Sequence, residues 1–183
     1  MLEYFLFPLK NDLAADLISF NAKFINKIRI MIEKKLDELG LILPVLPVSK
    51  GVYKSCVVAG NMLYLSGHIS INTDGSYLTG KLGQDLSEEE GKIAAQQCGL
   101  AMLSSIKKYF GNFDKLKRIV KVLGMVNSTP DYTKHPLIIN GFSELFAKLM
   151  GEENGVGARS AVGMGSLPNN VAVEVEAIFE LHE

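Results

Sequence analysis

The chain has 183 residues, the length of one domain, enough to bury about 70% of its unfolded surface in a core. Hydrophobic residues make up 48% and charged residues 21%, which excludes disorder. Nineteen basic residues against twenty acidic ones leave a formal charge of −1, which argues against a nucleic-acid binder that works through bulk charge. Two cysteines, Cys56 and Cys98, are too few for a disulfide scaffold, and no CxxC or Cys/His cluster suggests zinc. No apolar run approaches the roughly 18 residues of a membrane span. The expected setting is a reducing, cytoplasmic one.

Residues 1–30 differ from the rest. Phe, Ile, Lys, Asn and Tyr supply 15 of these 30 positions but 41 of the remaining 153, and a second methionine, Met31, sits where the composition changes. Phe5–Leu9 is short, contains Pro8 and lacks a preceding basic run, so it makes a poor secretory signal. Asp12 and Asp16 weaken a mitochondrial transit reading. Leu13, Leu17, Phe20, Phe24 and Ile28 recur at helical spacing behind Asn11, a potential N-cap. Residues 1–30 therefore read as an extension: an over-long start with the natural one at Met31, favoured by composition, or an amphipathic helix that docks on the domain or a partner. Residues 31–183 read as a single domain with 15 basic and 17 acidic residues.

Ile32–Leu39 predicts a short helix closed by Gly40. Leu41–Val48, with Pro44 and Pro47, predicts an extended connector. Lys54–Ala59 and Met62–Ser66 are β-prone runs around a Gly60-Asn61 hairpin turn. Asn72–Gly83 is a loop. Ser87 with Glu90 forms a capping box for a helix that runs to about Phe110, with Ile93, Gln97, Leu100, Leu103 and Lys107 on neighbouring faces. Leu116–Asn127 is a buried strand. Pro136 starts a second long helix with Ile139, Phe142, Phe146 and Leu149 as its apolar stripe, broken at Gly151–Gly157. Arg159–Gly163 and Val171–Leu181 are closing strands joined at Leu167-Pro168-Asn169-Asn170. The order β-β-α-β-α-β-β fits two helices on one face of a mixed sheet. The other face also carries apolar residues and needs a cover, which oligomerisation would supply.

No GxGxxG, P-loop or GxSxG pattern is present. Of the histidines, His182 reads as solvated and His135 as a surface residue, whereas His68, after Ser66-Gly67 at a strand end, is better placed for function. After Met31 there are thirteen lysines but only two arginines, Arg118 and Arg159. Arg159 lies between the small residues Gly157-Ala158 and Ser160-Ala161, so a ligand has room. Its planar fork could grip a carboxylate in a bidentate way that Lys cannot. An ordinary edge-strand arginine fits the spacing equally well. Strand alternation puts Glu174 and Glu176 on one face, opposite Val173, Val175 and Ala177. If a second copy covers that face, a glutamate there must be paired or active.

These residues carry a resemblance. Ala158-Arg159-Ser160, then Leu167-Pro168, then Val173-Glu174-Val175-Glu176-Ala177-Ile178 resembles the closing signature of the YjgF/RidA (Rid) family, P-A-R-S, L-P and V-E-I-E-A-I at fixed offsets. Gly51-Val52-Tyr53 resembles its G-P-Y segment, Asn61-Met62 with Ser66-Gly67 its G-N-x-x-x-x-S-G-Q strand, and Asn140 with Phe142 and Phe146 its N-x-x-aromatic helix. The likeness covers about residues 45–181 and looks closer to the longer YjgF-like branch.

The resemblance implies an α+β, chorismate-mutase-like fold: a six-stranded mixed sheet with two helices on one face, assembled as a homotrimer with clefts between subunits. It implies hydrolysis of reactive imines and enamines, such as 2-aminoacrylate, 2-iminopropanoate and 2-iminobutanoate, to 2-oxo acids and ammonia. These intermediates arise from pyridoxal-phosphate dehydratases. It implies no metal and no organic cofactor. By the same resemblance, Arg159 would hold the substrate carboxylate and Glu174 would orient or activate water. Tyr53 would cover the substrate, while Ser66 and Asn140 would line the pocket. Departures fall at Ala161, where the family often has Cys, at His68 for Gln, at Gly157 for Pro, and in a longer segment before Asn140. Two other roles remain open: a trimer that binds a 2-oxo acid or other small carboxylate without turnover, and RNA cleavage or translation inhibition. The charge balance and the lack of a histidine pair or basic-aromatic stripe argue against the last.

Overall fold

A computed structural model describes residues 32–47 and 51–183; the expectations for residues 1–30 lie outside the described residues. Helix α1 (residues 32–38) ends as its sequence dictates. Gly40 takes φ +64°, its N–H donates to the Asp37 carbonyl at 3.1 Å, and the Leu41 N–H donates to the Leu36 carbonyl at 2.8 Å, a Schellman closure. Strands β1 (Cys56–Ala59) and β2 (Met62–Ile69) follow as a hairpin around Gly60-Asn61. Ser87 caps α2 (Glu88–Phe110) in a reciprocal capping box with Glu90. Then come β3 (Leu116–Asn127), α3 (His135–Met150), the short α4 (Glu152–Gly155), β4 (Ala158–Met164), a 3-10 turn at Pro168–Asn170, and β5 (Val173–Leu181).

The sheet order is β1-β2-β5-β3-β4. β4 runs parallel to β3, and every other neighbouring pair is antiparallel. α3 is therefore the crossover that a parallel pair requires, and it lies antiparallel to the edge strand β4. Among the described residues the sheet has five strands, not the six that the family resemblance implied. The 70–86 segment supplies only isolated bridges, Ile71 to Tyr77, Thr79 to Val171, and Leu82 to Leu86 and Ser128, because its Asn72-Thr73-Asp74-Gly75-Ser76 run favours turns over a ladder.

One core joins residues from Ile32 to Leu181. Phe142 and Phe146 of α3 stack at 4.8 Å between centroids, and Phe146 meets Phe179 of β5 at 5.6 Å. The expected stripe of α3 is buried throughout. On α2 the expected Leu100 and Leu103 are buried, together with Ala94, Ala95, Cys98, Met102 and Ile106, whereas Ile93 is left 42% exposed, because small residues let the two helices approach closely. At Gly141 a Cβ would lie 2.0 Å from the Lys92 carbonyl oxygen, so the helix backbones touch there. Both long helices cover the same sheet face. On the other face Tyr64 and Val162 remain exposed.

Candidate functional site

Arg159 pairs in register with Val122 of β3, and in a parallel ladder paired side chains share a face. Val122 is buried beneath the helices, so Arg159 also points towards α3. Its Nη1 donates to Asn140 Oδ1 and to Ser143 Oγ, each at 3.0 Å, and its Nη2 donates to the Pro136 carbonyl at 3.2 Å. Asn140 and Ser143 are three residues apart, hence on one side of α3. All three acceptors are neutral. Among the described residues no carboxylate stands within 4.0 Å of the guanidinium. A guanidinium has five N–H donors, so Nε and the second Nη2 N–H stay available. Partial burial lowers its pKa, but an arginine remains charged at any working pH. The arrangement is a braced cation without a counter-charge, suited to an anion.

Glu174 alternates on β5 to the opposite face. It is half-buried between buried Val173 and Val175. Burial first, and the nearby Glu176 charge second, raise its pKa above 4.5. Its carboxylate rests on Gly67: a Cβ there would lie 1.9 Å from Oε1 and 2.8 Å from Cδ. Gly67 belongs to a β-bulge. Leu65 pairs with Ala177 and His68 with Val175, so Ser66 and Gly67 together oppose Glu176 alone. Ser66 Oγ donates to the Lys54 carbonyl at 2.7 Å, which ties the bulge to the segment bearing Tyr53. Tyr53 is 58% exposed, its ring folded over Gly51. Nearby, a cleft of about 290 Å³ opens between Lys54, Tyr64, Ser66, Lys121 and Glu176.

Within one chain, then, Arg159 and Asn140 come together, while Ser66 neighbours Gly67, on which Glu174 rests, and Tyr53 neighbours Lys54, whose carbonyl accepts from Ser66. The two groups do not meet. They occupy opposite faces of the sheet, and with strands spaced about 4.8 Å apart β2 lies roughly 14 Å from β4. Three participants escaped the sequence reading: Ser143, the Pro136 carbonyl and Gly67. Only Ser143 left a usable signal, its spacing of three from Asn140. His135 and His182 are more buried than their sequence positions suggest, whereas His68 takes a buried, hydrogen-bonded place. His68 is 7% exposed under α2. His135 is half-buried, its Nε2 3.1 Å from Ser128 Oγ, because Gly163 leaves room for the ring. His182 is also half-buried, since its N–H continues the pairing to the Lys115 carbonyl, and burial lowers its pKa. Among the described residues no cluster of three His, Cys, Asp or Glu could hold a metal ion, and no helix is long and apolar enough to cross a membrane.

Gly67→Ala tests the seat of Glu174. The new methyl group displaces a flexible carboxylate rather than backbone, so thermal unfolding should move by only a few degrees, roughly the effect of about 1 kcal/mol. Any chemistry that depends on Glu174 should fall by about 10²-fold, the cost of a misplaced group. Parallel melting and activity measurements separate the two.

Comparison with known proteins adds the following. The model of the family described as "YjgF/chorismate_mutase-like, putative endoribonuclease" matches residues 33–181. Protein TCP17 of Trypanosoma cruzi is 40% identical over 147 residues, which cover 80% of this chain and 92% of that protein. The 2-iminobutanoate/2-iminopropanoate deaminase of Dermatophagoides farinae is 29% identical over 136 residues, 74% of this chain and 90% of that one. The crystal structure of Atu1372, a protein of unknown function from Agrobacterium tumefaciens, superposes with a TM-score of 0.78 at 36% identity, covering 87% of this chain and 99% of its own.

Proposed function

Since this chain belongs to the YjgF/chorismate mutase-like family, we propose that it hydrolyses 2-imino acids and their enamine tautomers to 2-oxo acids and ammonia, in sites shared between neighbouring copies of a homotrimer. One observation carries the reading: the guanidinium of Arg159 is braced by three neutral acceptors and has no carboxylate partner among the described residues. The likeness to an iminobutanoate deaminase supports the choice of reaction.

In this reading the substrate carboxylate takes the free N–H donors of Arg159, a charge-assisted contact that fixes where the adjacent C=N carbon lies. Glu174 of a neighbouring copy faces that carbon. Water adds its oxygen to the carbon as Glu174 takes one of its protons, and the imine nitrogen takes a proton from solvent to give a carbinolamine. Glu174 then passes its proton to the nitrogen, the C–N bond breaks as ammonia leaves, and the hydroxyl returns a proton to solvent to become the ketone. Water is consumed, one ammonia leaves, and no electrons change hands. Ser66 lines the pocket and Tyr53 covers it. Because the two half-sites occupy opposite sheet faces, a second copy has to bring them together, and that copy would also cover the open face.

The test generates the imine in situ with a threonine or serine dehydratase and follows 2-oxo acid release with and without this protein. Acceleration is expected. It should rise with pH through a limb above 4.5, because the pKa of Glu174 is raised and only its carboxylate accepts a proton from water; in Glu174→Gln the residual rate should have no such limb. No acceleration by the folded protein, with 2-oxo acid binding retained, would assign a binding role instead.

A further inference from the structure

His68 makes two buried contacts. Its Nδ1 is 2.7 Å from the Ser66 carbonyl oxygen, and its Nε2 is 2.7 Å from Ser105 Oγ on α2. A carbonyl can only accept, so Nδ1 carries the proton and Nε2 accepts from the Ser105 hydroxyl. Burial also disfavours the imidazolium. Neither side chain has access to a reactant, as Ser105 is 5% and His68 7% exposed. The pair is not a nucleophile and its base.

Its position points to another role. The Ser66 carbonyl belongs to the peptide that joins Ser66 to Gly67, the two residues that share one opposing partner in the bulge. A bulge disrupts the ladder locally and leaves groups to be satisfied elsewhere. Here the rigid imidazole meets that need, spanning from the strand to the helix with its two nitrogens. On the other face of the same bulge, Gly67 carries the Glu174 carboxylate. An apolar residue at position 68 would leave the Ser66 carbonyl and the Ser105 hydroxyl both unpaired, and the bulge free to relax towards regular pairing. Regular alternation would then turn the seat of Glu174 away.

We propose that His68 is a positioning residue that, anchored by Ser105, holds the Ser66–Gly67 bulge and so sets where the Glu174 carboxylate stands. This rests on the reading of Glu174 as the proton acceptor.

The experiment compares wild type, His68→Leu, His68→Gln and Ser105→Ala in two readouts. The first is a ¹³C titration of the Glu174 carboxyl, assigned by its loss in Glu174→Gln. The second is the dehydratase-coupled rate. In His68→Leu the Glu174 titration should move towards the ordinary 4.5 and kcat should fall by about 10–10²-fold, while half-saturation by the imine stays unchanged because Arg159 is untouched. Gln has an N–H for the Ser66 carbonyl and an oxygen for Ser105, so His68→Gln should restore both readouts. Ser105→Ala should give a partial shift in the same direction, and it decides the matter if His68→Leu does not fold. A folded His68→Leu, or failing that Ser105→Ala, with unchanged titration and unchanged kcat would overturn the proposal. The titration needs no turnover, so an inactive wild type would sink the deaminase reading while leaving this test standing.

Discussion

Arg159→Ala should lower imine hydrolysis in the coupled assay by about 10²-fold or more. Removing one partner of a buried charge-assisted pair costs roughly 2–5 kcal/mol, and each 1.4 kcal/mol is about a tenfold change. Arg159→Lys should fall nearly as far. An ammonium can still reach Asn140 Oδ1 and Ser143 Oγ, but it lacks the planar fork that leaves donors free for a carboxylate. Stability should change little, since Asn140 and Ser143 are only half-buried and water can take the vacated positions. The same variant tests the shared site. Arg159→Ala and Glu174→Ala should each be nearly inactive, yet unfolding and refolding them together at equal amounts should restore about a quarter of the sites, the fraction of randomly mixed neighbours with both groups intact. Full rate in Arg159→Ala would refute the clamp. Loss of rate in both variants with no recovery on mixing would place both groups in one copy's site.

A large effect on stability is expected at Gly141. A Cβ there would lie 2.0 Å from the Lys92 carbonyl oxygen, 2.8 Å from its carbon and 3.0 Å from its Cα. These are backbone atoms of a helix, which cannot step aside as a side-chain tip can, so Gly141→Ala has to push α2 and α3 apart. Overpacking of this kind costs about 2–4 kcal/mol, which corresponds to a fall in Tm of about 5–15 °C for a chain of this size. Activity should fall too, because Asn140 moves with the helix. Gly165→Ala is the matched control: no heavy atom lies within 4 Å of its Cβ position, and its melting should match wild type. Equal melting of the two variants would show that the helix contact is not tight.

The elements that could be read from sequence are those fixed by local chemistry. Gly40, Gly60-Asn61, the Ser87–Glu90 box and Pro136 each act within a few residues, and they mark boundaries that the fold keeps. What was not legible is what depends on distant pairing. β5, last in the chain, inserts between β2 and β3, and no periodicity announces that. The burial of Ala94 and Ala95 in preference to Ile93 follows from how closely α3 approaches, which hydrophobicity alone does not reveal. The count of six came from the family resemblance alone; the residue-by-residue order held five strands with Asn72–Gly83 as a loop, and the fold keeps that order. For the candidate site, residue type singled out Arg159, strand alternation put Glu174 on one face with Glu176, and Asn140 came only from the family resemblance; the face of Arg159 was not legible. Whether Arg159 lay on the side of Glu174 was decided by its register against Val122, and whether Glu174 had a seat was decided by one extra residue in β2.

The touching backbones of α2 and α3 also bear on how selectivity can arise. Asn140 and Ser143 stand on either side of Gly141, where the two helices meet, so the acceptors that hold the guanidinium ride on a carrier that cannot rock. The conformational entropy of that arrangement is lost when the chain folds, not when an anion arrives. A head group fixed in advance treats every small carboxylate alike, whatever its side chain. In the proposed reading, discrimination between substrates would therefore fall to the open sheet face around Tyr53 and Ser66. That surface can vary while the clamp stays as it is.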